Sequence, residues 1–178
     1  MNGQQRLNAL SAPLLAWYDG NKRALPWRGV RDPYRIWVSE IMLQQTRVQA
    51  VLDYYARFVA ELPDVRALAA VDDERLNKLW QGLGYYSRVR NLQKAAQRIE
   101  EEHGGAFPQS YDAIRTLPGV GDYTAGAIAS ICFDAPTPAV DGNVLRVLSR
   151  VTEDFSPVTK QSVKKDYEAA LRPLYAQH

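Results

Sequence analysis

The chain has 178 residues, 46% of them hydrophobic, which suffices for one sizeable core or for a core with a partial second lobe. Its 22 basic and 20 acidic side chains give a formal net charge of +2, so nucleic-acid binding would need a local basic patch. A single cysteine, Cys132, excludes an intramolecular disulfide and suits a reducing cytoplasm, where we expect the protein. No apolar run approaches the roughly 18 residues of a membrane span, so we expect no membrane partner.

Apolar residues recur at helical spacing almost throughout the chain, and no sustained alternation competes with them. The pattern predicts an all-α protein. A first helix is outlined by Leu7 to Trp17 and ends at Asp19-Gly20. Further helices are predicted over residues 34–45, 48–61, 73–81, 87–103, 110–116, 123–133, 142–152 and 160–176. Two prolines within residues 134–138 favour an extended crossing and mark a boundary between lobes.

Basic residues form two clusters along the sequence. The first contains Lys22, Arg23, Arg28, Arg31 and Arg35, and the second contains Arg88, Arg90, Lys94 and Arg98. The second cluster has helical spacing, so a solvated helix face explains it as well as a nucleic-acid contact does.

The most informative segment is LPGVGDYTAG, residues 117–126. The tight turn Gly119-Val120-Gly121 opens onto a predicted helix and would present backbone N–H groups to an anion, as a phosphate seat does. A Gly-x-Gly pattern is weak evidence alone, but here it leads directly into a helix of small residues. The segment AVDGNV then places Asp141 at the start of the next predicted helix.

Glu40 is the first candidate for chemistry. On a helix it shares a face with Ile36, Trp37 and Ile41, so desolvation should raise the pKa of its carboxyl group and keep a proton available. The alternative is a glutamate that points outward or pairs with a neighbouring arginine, Arg35 or Arg47.

Asp141 is the second candidate. It precedes Gly142-Asn143-Val144 and suits the N-cap position, where its oxygen accepts from a backbone N–H. Such donors and the positive end of the helix would keep the carboxylate ionised and able to stabilise a cation. An acid and an anion of this kind are the pair that glycosidic bond cleavage requires. Capping alone is the alternative.

The hairpin segment followed by Asp141 resembles the base-excision DNA glycosylases of the endonuclease III superfamily. The segments WVSEIMLQQTRV, residues 37–48, and QGLGYYSRVRNL, residues 81–92, are similar within it to the MutY-type adenine glycosylases. The resemblance covers nearly all of residues 22–155. It implies a six-helix barrel with a helix-hairpin-helix motif over residues 29–136. Residues 1–28 and 137–178 would form part of a second helical lobe, with the active site in the cleft.

The resemblance implies a monofunctional glycosylase that releases adenine mispaired with 8-oxoguanine or guanine in double-stranded DNA. Glu40 would protonate the adenine, Asp141 would stabilise and covalently trap the deoxyribosyl oxocarbenium ion, and Asn143 would orient Asp141. Tyr123 stands near the position of the lysine that lets the bifunctional branch cleave the strand, and no lysine lies between Lys94 and Lys160. Ordinary packing is the alternative for Tyr123.

Further positions match the family's substrate contacts. The adenine pocket would involve Arg23, Trp27, Arg28, Leu43 and Val48. Contacts with the duplex and the opposite base would involve Gln44, Gln45, Thr46, Leu83, Gly84 and Tyr85, and the phosphate seat Gly119, Val120 and Gly121. Plain core packing is the alternative for Leu43 and Val48, and a surface anchor is the alternative for Tyr85.

The chain departs from the family after residue 155. The family usually continues with a four-cysteine loop that holds a [4Fe–4S] cluster and with a domain that recognises 8-oxoguanine. One cysteine and two histidines, His103 and His178, cannot ligate such a cluster, so we expect no cofactor and no metal in this chain. We expect a monomeric fragment of a longer enzyme, and a natural cluster-free homologue is the alternative. The alternatives are a thymine-mismatch glycosylase and a DNA-binding module without turnover.

Overall fold

The computed structural model describes residues 1–175, and there it is built from α-helices without strands, as predicted. None of these helices combines the length and the apolar character that crossing a bilayer requires. The predictions for α3, α6 and α9 agree with the structure to the residue. Residue 176, where the last helix was predicted to end, lies outside the described residues. The helices of residues 1–175 are α1 (Gly3–Asn21), α2 (Pro33–Leu43), α3 (Val48–Glu61), α4 (Val65–Ala70), α5 (Asp73–Trp80), α6 (Ser87–His103), α7 (Tyr111–Arg115), α8 (Asp122–Phe133), α9 (Gly142–Thr152) and α10 (Gln161–Tyr175).

Helices α5, α7, α8 and α10 differ from their predicted ranges by one residue at one or both ends, and α1, α4 and α2 differ by more. Helix α1 begins before its apolar stripe because Asn2 and Gln5 form a reciprocal capping box, with N–H to oxygen distances of 2.8 and 2.9 Å. Helix α4 was not predicted, since six residues are too few to show a period; the Asp64 carboxylate caps it by accepting from the Ala67 N–H at 2.8 Å. Helix α2 ends two residues before the predicted Gln45, for a reason that lies in the site itself.

Helices α2 to α8 surround the larger of two hydrophobic cores. Its largest fully buried side chains include Trp37, Phe58 and Trp80, and the rings of Phe58 and Trp80 meet edge to face at 6.0 Å. Helix α2 packs against α3, α6 and α8, so Glu40 is carried on a central helix. Trp27 also belongs to this core, although we expected residues 1–28 in the second lobe.

A smaller core joins α1, α9 and α10 and is built on Leu7, Leu145, Leu148, Val163 and Tyr167, among others. Residues 134–141 connect the cores without a helix. The Thr137 hydroxyl donates to the Gly126 carbonyl at 3.3 Å, and a Cβ atom on Gly126 would lie 3.0 Å from the Pro138 carbonyl oxygen. Glycine at 126 therefore lets the connection lie directly on α8, which places the start of α9 beside that helix.

Candidate active site

Glu40 lies in the last turn of α2, three residues before its end. The helix starts at Pro33 because the Asp32 carboxylate accepts from the Tyr34 N–H at 2.9 Å and proline suits the first helical position. Glu40 is partly buried, and burial raises the pKa of its carboxyl group to about 7. Arg35, one of its possible partners, instead pairs with Asp32 at 3.6 Å. Within residues 1–175 the Glu40 carboxylate forms no ion pair, so it is suited to hold a proton near neutral pH.

Asp141 is the N-cap of α9, as predicted, with an extended backbone. Its Oδ1 accepts from the Val144 N–H at 2.8 Å, and its Oδ2 accepts from the Asn143 side-chain amide at 3.2 Å. The Asn143 side-chain oxygen in turn accepts from the Arg146 guanidinium at 3.3 Å. The helix cap and the amide thus hold both oxygens of the carboxylate in a defined orientation.

Tyr123, the second residue of α8, is influenced by the charges of both carboxylates. Burial, followed by the negative charges of Glu40 and Asp141, raises the pKa of its phenol to about 12. Because the influence of a charge falls with distance, Tyr123 lies near both carboxylates. The fold thus gathers one residue from α2, one from α8 and the cap of α9.

The residues expected at the adenine pocket occupy two environments. Trp27 is buried and meets the Tyr55 ring edge to face at 5.0 Å, while Leu43 and Val48 are partly buried against the larger core. Arg28 stacks its guanidinium over Tyr18 at 5.3 Å and donates to the carbonyl of the exposed Arg23 at 3.3 Å. The two arginines therefore lie in the connection that leaves α1.

The turn between α7 and α8 has the geometry of an anion seat. Gly119 has a φ of +77°, and a Cβ atom there would lie 2.8 Å from the Asn91 Cβ, so only glycine fits. Val120 is buried and donates its N–H to the Leu117 carbonyl at 3.1 Å. Gly121 is the N-cap of α8 and offers no side-chain acceptor, which leaves the first N–H groups of α8 to be satisfied from outside the helix.

Two other turns each expose a side chain on a strained backbone. Gln45, after α2, has a φ of 56°, and Tyr85, before α6, has a φ of 47° and is 63% exposed. The Trp80 indole donates to the Gly84 carbonyl at 3.0 Å and supports the second turn. Leu83, which we expected to contact DNA, packs its side chain in the larger core.

Arg88 is a residue of this region that the sequence interpretation placed elsewhere. It was assigned to the second basic cluster, yet it is only 9% exposed and donates to the Ile41, Met42 and Gln44 carbonyls at the end of α2. Arg88 thus takes the place of the backbone N–H groups that would bond to these carbonyls if the helix continued. This explains why α2 ends at Leu43. Its position four residues before the buried Leu92, on the same face of α6, is the sequence feature that could have indicated its burial.

Neither basic cluster is a continuous positive patch. In the second, Arg98 pairs with Glu102 at 2.8 Å, and the remaining members Arg90 and Lys94 are exposed. In the first, Lys22, Arg31 and Arg35 pair with Asp19, Asp134 and Asp32. Local pairing therefore neutralises several of the basic side chains on which nucleic-acid binding would depend.

The chain's own residues do not fit an iron–sulfur cluster. A [4Fe–4S] cluster takes four thiolates, whereas the chain has one cysteine. Cys132 is partly buried, and burial raises the pKa of its thiol to about 11, which disfavours the thiolate that a metal requires. Across residues 1–175, three or more histidine, cysteine, aspartate or glutamate side chains nowhere gather as a metal site would require. His178 lies outside that range.

The model of the HhH-GPD superfamily base excision DNA repair protein matches residues 38–173. The chain belongs to this superfamily. It is similar to the adenine DNA glycosylase of Mus musculus, 52% identical over 154 residues that cover 82% of this chain and 30% of the mouse protein. It is 49% identical to the Homo sapiens adenine DNA glycosylase, covering 82% of this chain and 28% of the human protein.

A bacterial relative is more distant. The adenine DNA glycosylase of Buchnera aphidicola subsp. Baizongia pistaciae is 44% identical over 138 residues, which cover 77% of this chain and 39% of that protein. The chain thus spans about a third of the length of the relatives that it matches.

Solved structures agree on the fold. A non-covalent endonuclease III–DNA complex superposes with a TM-score of 0.77 at 24% identity, covering 96% of this chain and 77% of the other. A thermostable thymine-DNA glycosylase gives a TM-score of 0.76 at 24% identity, covering 97% and 87%. These likenesses confirm the predicted fold class, a helical barrel with a helix-hairpin-helix motif beside a second helical lobe.

Proposed function

We propose that the chain is the catalytic part of a monofunctional adenine DNA glycosylase acting on adenine opposite 8-oxoguanine or guanine. The similarity to three adenine DNA glycosylases at 44–52% identity supports the choice of adenine. The observation that carries the proposal is that Glu40 and Asp141 lie in unlike environments and both lie close enough to Tyr123 for their charges to raise the pKa of its phenol.

In the proposed reaction, protonated Glu40 donates its proton to the adenine. The C1′–N9 bond breaks, its electron pair leaves with the base, and positive charge develops on the sugar. Asp141 stabilises this charge and traps the cation covalently until water adds to C1′ and completes the hydrolysis. Asn143 keeps the carboxylate oriented through its 3.2 Å hydrogen bond.

The proposed enzyme is monofunctional because a phenol, not an amine, lies beside the carboxylates. Borohydride trapping should therefore yield no covalent protein–DNA adduct, whereas Tyr123→Lys should create one, since an amine there can condense with the ring-opened sugar. Lys164 is the control residue, because it is a lysine of the unchanged chain that lies near Asp122 at the start of α8. Its ammonium pairs with Glu168 at 3.6 Å. Trapping by the unchanged chain that disappears in Lys164→Met would contradict the assignment.

DNA contact would use three elements of the proposed interface. The free N–H groups at the start of α8 would bind a phosphate, with Gly119, Val120 and Gly121 shaping the turn. Gln44, Gln45 and Thr46 would enter the duplex, and Leu83, Gly84 and Tyr85 would face the opposite base. Because Leu83 is buried, the contacts of that turn fall mainly on Tyr85. Arg23, Trp27, Arg28, Leu43 and Val48 would surround the flipped adenine.

We further propose a division into two lobes near residue 136, with double-stranded DNA bound in the cleft. The two separate hydrophobic cores support the division, with Ala135 on the larger and Val140 in the smaller. We also propose a monomer in the cytoplasm, a reducing compartment that suits a chain with a single cysteine.

A single-turnover assay of base release tests the proposal. Duplexes carrying A:8-oxoguanine, A:G and T:G pairs are incubated with excess protein, with a full-length adenine DNA glycosylase as positive control. Release of adenine but not thymine is the expected result. Release of thymine would favour the thymine-mismatch alternative. Binding of the A:8-oxoguanine duplex without release would show that this chain is a DNA-binding module.

A further inference from the structure

We propose that Arg88 is a positioning residue that couples the turn carrying Gln45 to the turn carrying Tyr85, so that the two exposed side chains meet DNA as one rigid element. The part that concerns DNA rests on the proposed function. The coupling itself is a property of the free protein.

One half of the Arg88 guanidinium binds the first turn. Its Nη1 lies 3.0 Å from the Ile41 and Met42 carbonyl oxygens and 2.6 Å from that of Gln44. The last carbonyls of a helix have no partner within the helix and carry its negative dipole end. A buried cation is thereby stabilised at the end of α2, although Arg88 forms no ion pair within residues 1–175.

The other half binds both turns at once. Its Nη2 donates to the Leu83 carbonyl at 3.2 Å, to the Gly84 carbonyl at 3.3 Å and to the Thr46 hydroxyl at 3.3 Å. The guanidinium also lies 5.3 Å from the Trp80 ring centroid and 5.5 Å from that of Tyr85. One side chain therefore contacts segments about forty residues apart, on either side of the two candidate DNA-reading residues.

Backbone strain explains why such a clamp is needed. Gln45 and Tyr85 both have positive φ, which is unfavourable for residues with a Cβ atom and persists only where the surroundings determine it. Arg88 binds the residues next to each strained position, Gln44 and Thr46 in one turn and Gly84 in the other. Lysine cannot replace it, because an ammonium lacks the planar fork that spreads donors over six acceptors.

The coupling is tested first without DNA, by amide hydrogen exchange in Arg88→Lys. Two amides report on the turns: the Thr46 N–H donates to the Leu43 carbonyl at 3.3 Å, and the Leu83 N–H donates to the Trp80 carbonyl at 3.1 Å. Both should exchange at least about tenfold faster, while amides of residues 95–99 in α6 stay protected. Arg90→Lys, the same change two residues away on the exposed side, should leave both rates unchanged. Acceleration in only one turn, or in neither, overturns the proposal.

A milder variant decides the matter should Arg88→Lys fail to fold. Thr46→Val keeps the side-chain shape and removes one acceptor of Nη2 in the first turn. Exchange of the Leu83 amide, in the other turn, should still accelerate. An unchanged Leu83 rate in a folded Thr46→Val protein overturns the coupling.

The second test measures duplex affinity in a double-mutant cycle. Gln45→Ala and Tyr85→Ala are combined in the unchanged chain and in Arg88→Lys, using A:8-oxoguanine and undamaged duplexes. In the unchanged chain, the loss of lesion preference in the double variant should differ by at least about threefold from the product of the losses in the two single variants. In the Arg88→Lys background, the loss in the double variant should agree with that product within about twofold. Equal non-additivity in both backgrounds contradicts the proposal. Loss of preference in neither single variant would instead refute the DNA-reading role of the turns, while the exchange data still decide the coupling.

Discussion

The two candidate catalytic carboxylates belong to contrasting regions of the molecule. Glu40 extends from a central helix of the larger core, where burial raises the pKa of its carboxyl group to about 7. Asp141 caps a helix at the edge of the smaller core, where a backbone N–H and the Asn143 amide donate to it. Within residues 1–175, the larger core thus buries Glu40 without providing hydrogen-bond donors to its carboxyl group, whereas the start of α9 provides donors to Asp141. The contrast teaches that the same functional group receives a proton-donor or an anion role from its surroundings alone.

The largest expected effect on adenine release comes from removing the carboxyl proton of Glu40, in the larger core. Glu40→Gln keeps the shape of the side chain but has no proton to transfer, so single-turnover adenine release should fall by more than about 100-fold. Affinity for the A:8-oxoguanine duplex, measured by fluorescence anisotropy, should stay within about threefold of the original. Near-normal release by the variant would return Glu40 to a structural role.

Asp141→Asn tests the other region. Asparagine caps a helix about as well as aspartate, so the melting temperature should change little, while release should fall by about 100-fold because the negative charge is gone. Asp141→Ala, which also removes the cap, should lose about 1 kcal/mol of stability in addition. If stability and release decline in proportion across the two variants, capping accounts for the residue and the contrast fails.

The contrast also predicts a pH profile. Because the acid form of Glu40 is depleted above its pKa of about 7, release should fall by about tenfold for each pH unit beyond that value. Single-turnover rates between pH 5.5 and pH 9 on one duplex measure this limb. The residual activity of Glu40→Gln should lack it. A limb that persists in that variant belongs to another group.

The smallest effect concerns stability. Burial raises the pKa of Glu40 from 4.5 to about 7, so the folded state holds a proton that the unfolded state releases between these values. This contribution is fully present below pH 4.5 and is lost as the pH rises through about 7. Glu40→Gln should therefore be more stable than the unchanged chain at pH 8 by about 1 to 3 kcal/mol, after allowance for solvent screening, and equal to it at pH 4. Urea unfolding at both pH values measures the difference, and an equal shift at both would show that ionisation is not its cause.

Sequence patterns predicted different parts of the fold with different success. Helices α3, α6 and α9 could be predicted to the residue because their ends coincide with local signals, such as Asp141 before α9 and Gly104 after α6. The end of α2 could not, since its cause is an arginine 44 residues beyond Gln44 along the chain. Arg88 itself was misplaced because its burial depends on carbonyl groups whose orientation only the folded α2 provides.

The amino-acid sequence by itself determined the helical class, the cap at Asp141, the glycine turn at residues 119–121 and the apolar helix face around Glu40, because each depends on neighbours within a few residues. The tertiary structure alone decided that the charges of Glu40 and Asp141 both act on Tyr123, that the pKa of Glu40 approaches 7 and that Leu83 is buried. Those properties depend on contacts between segments about 20 to 100 residues apart, and desolvation and charge act through space, not along the chain.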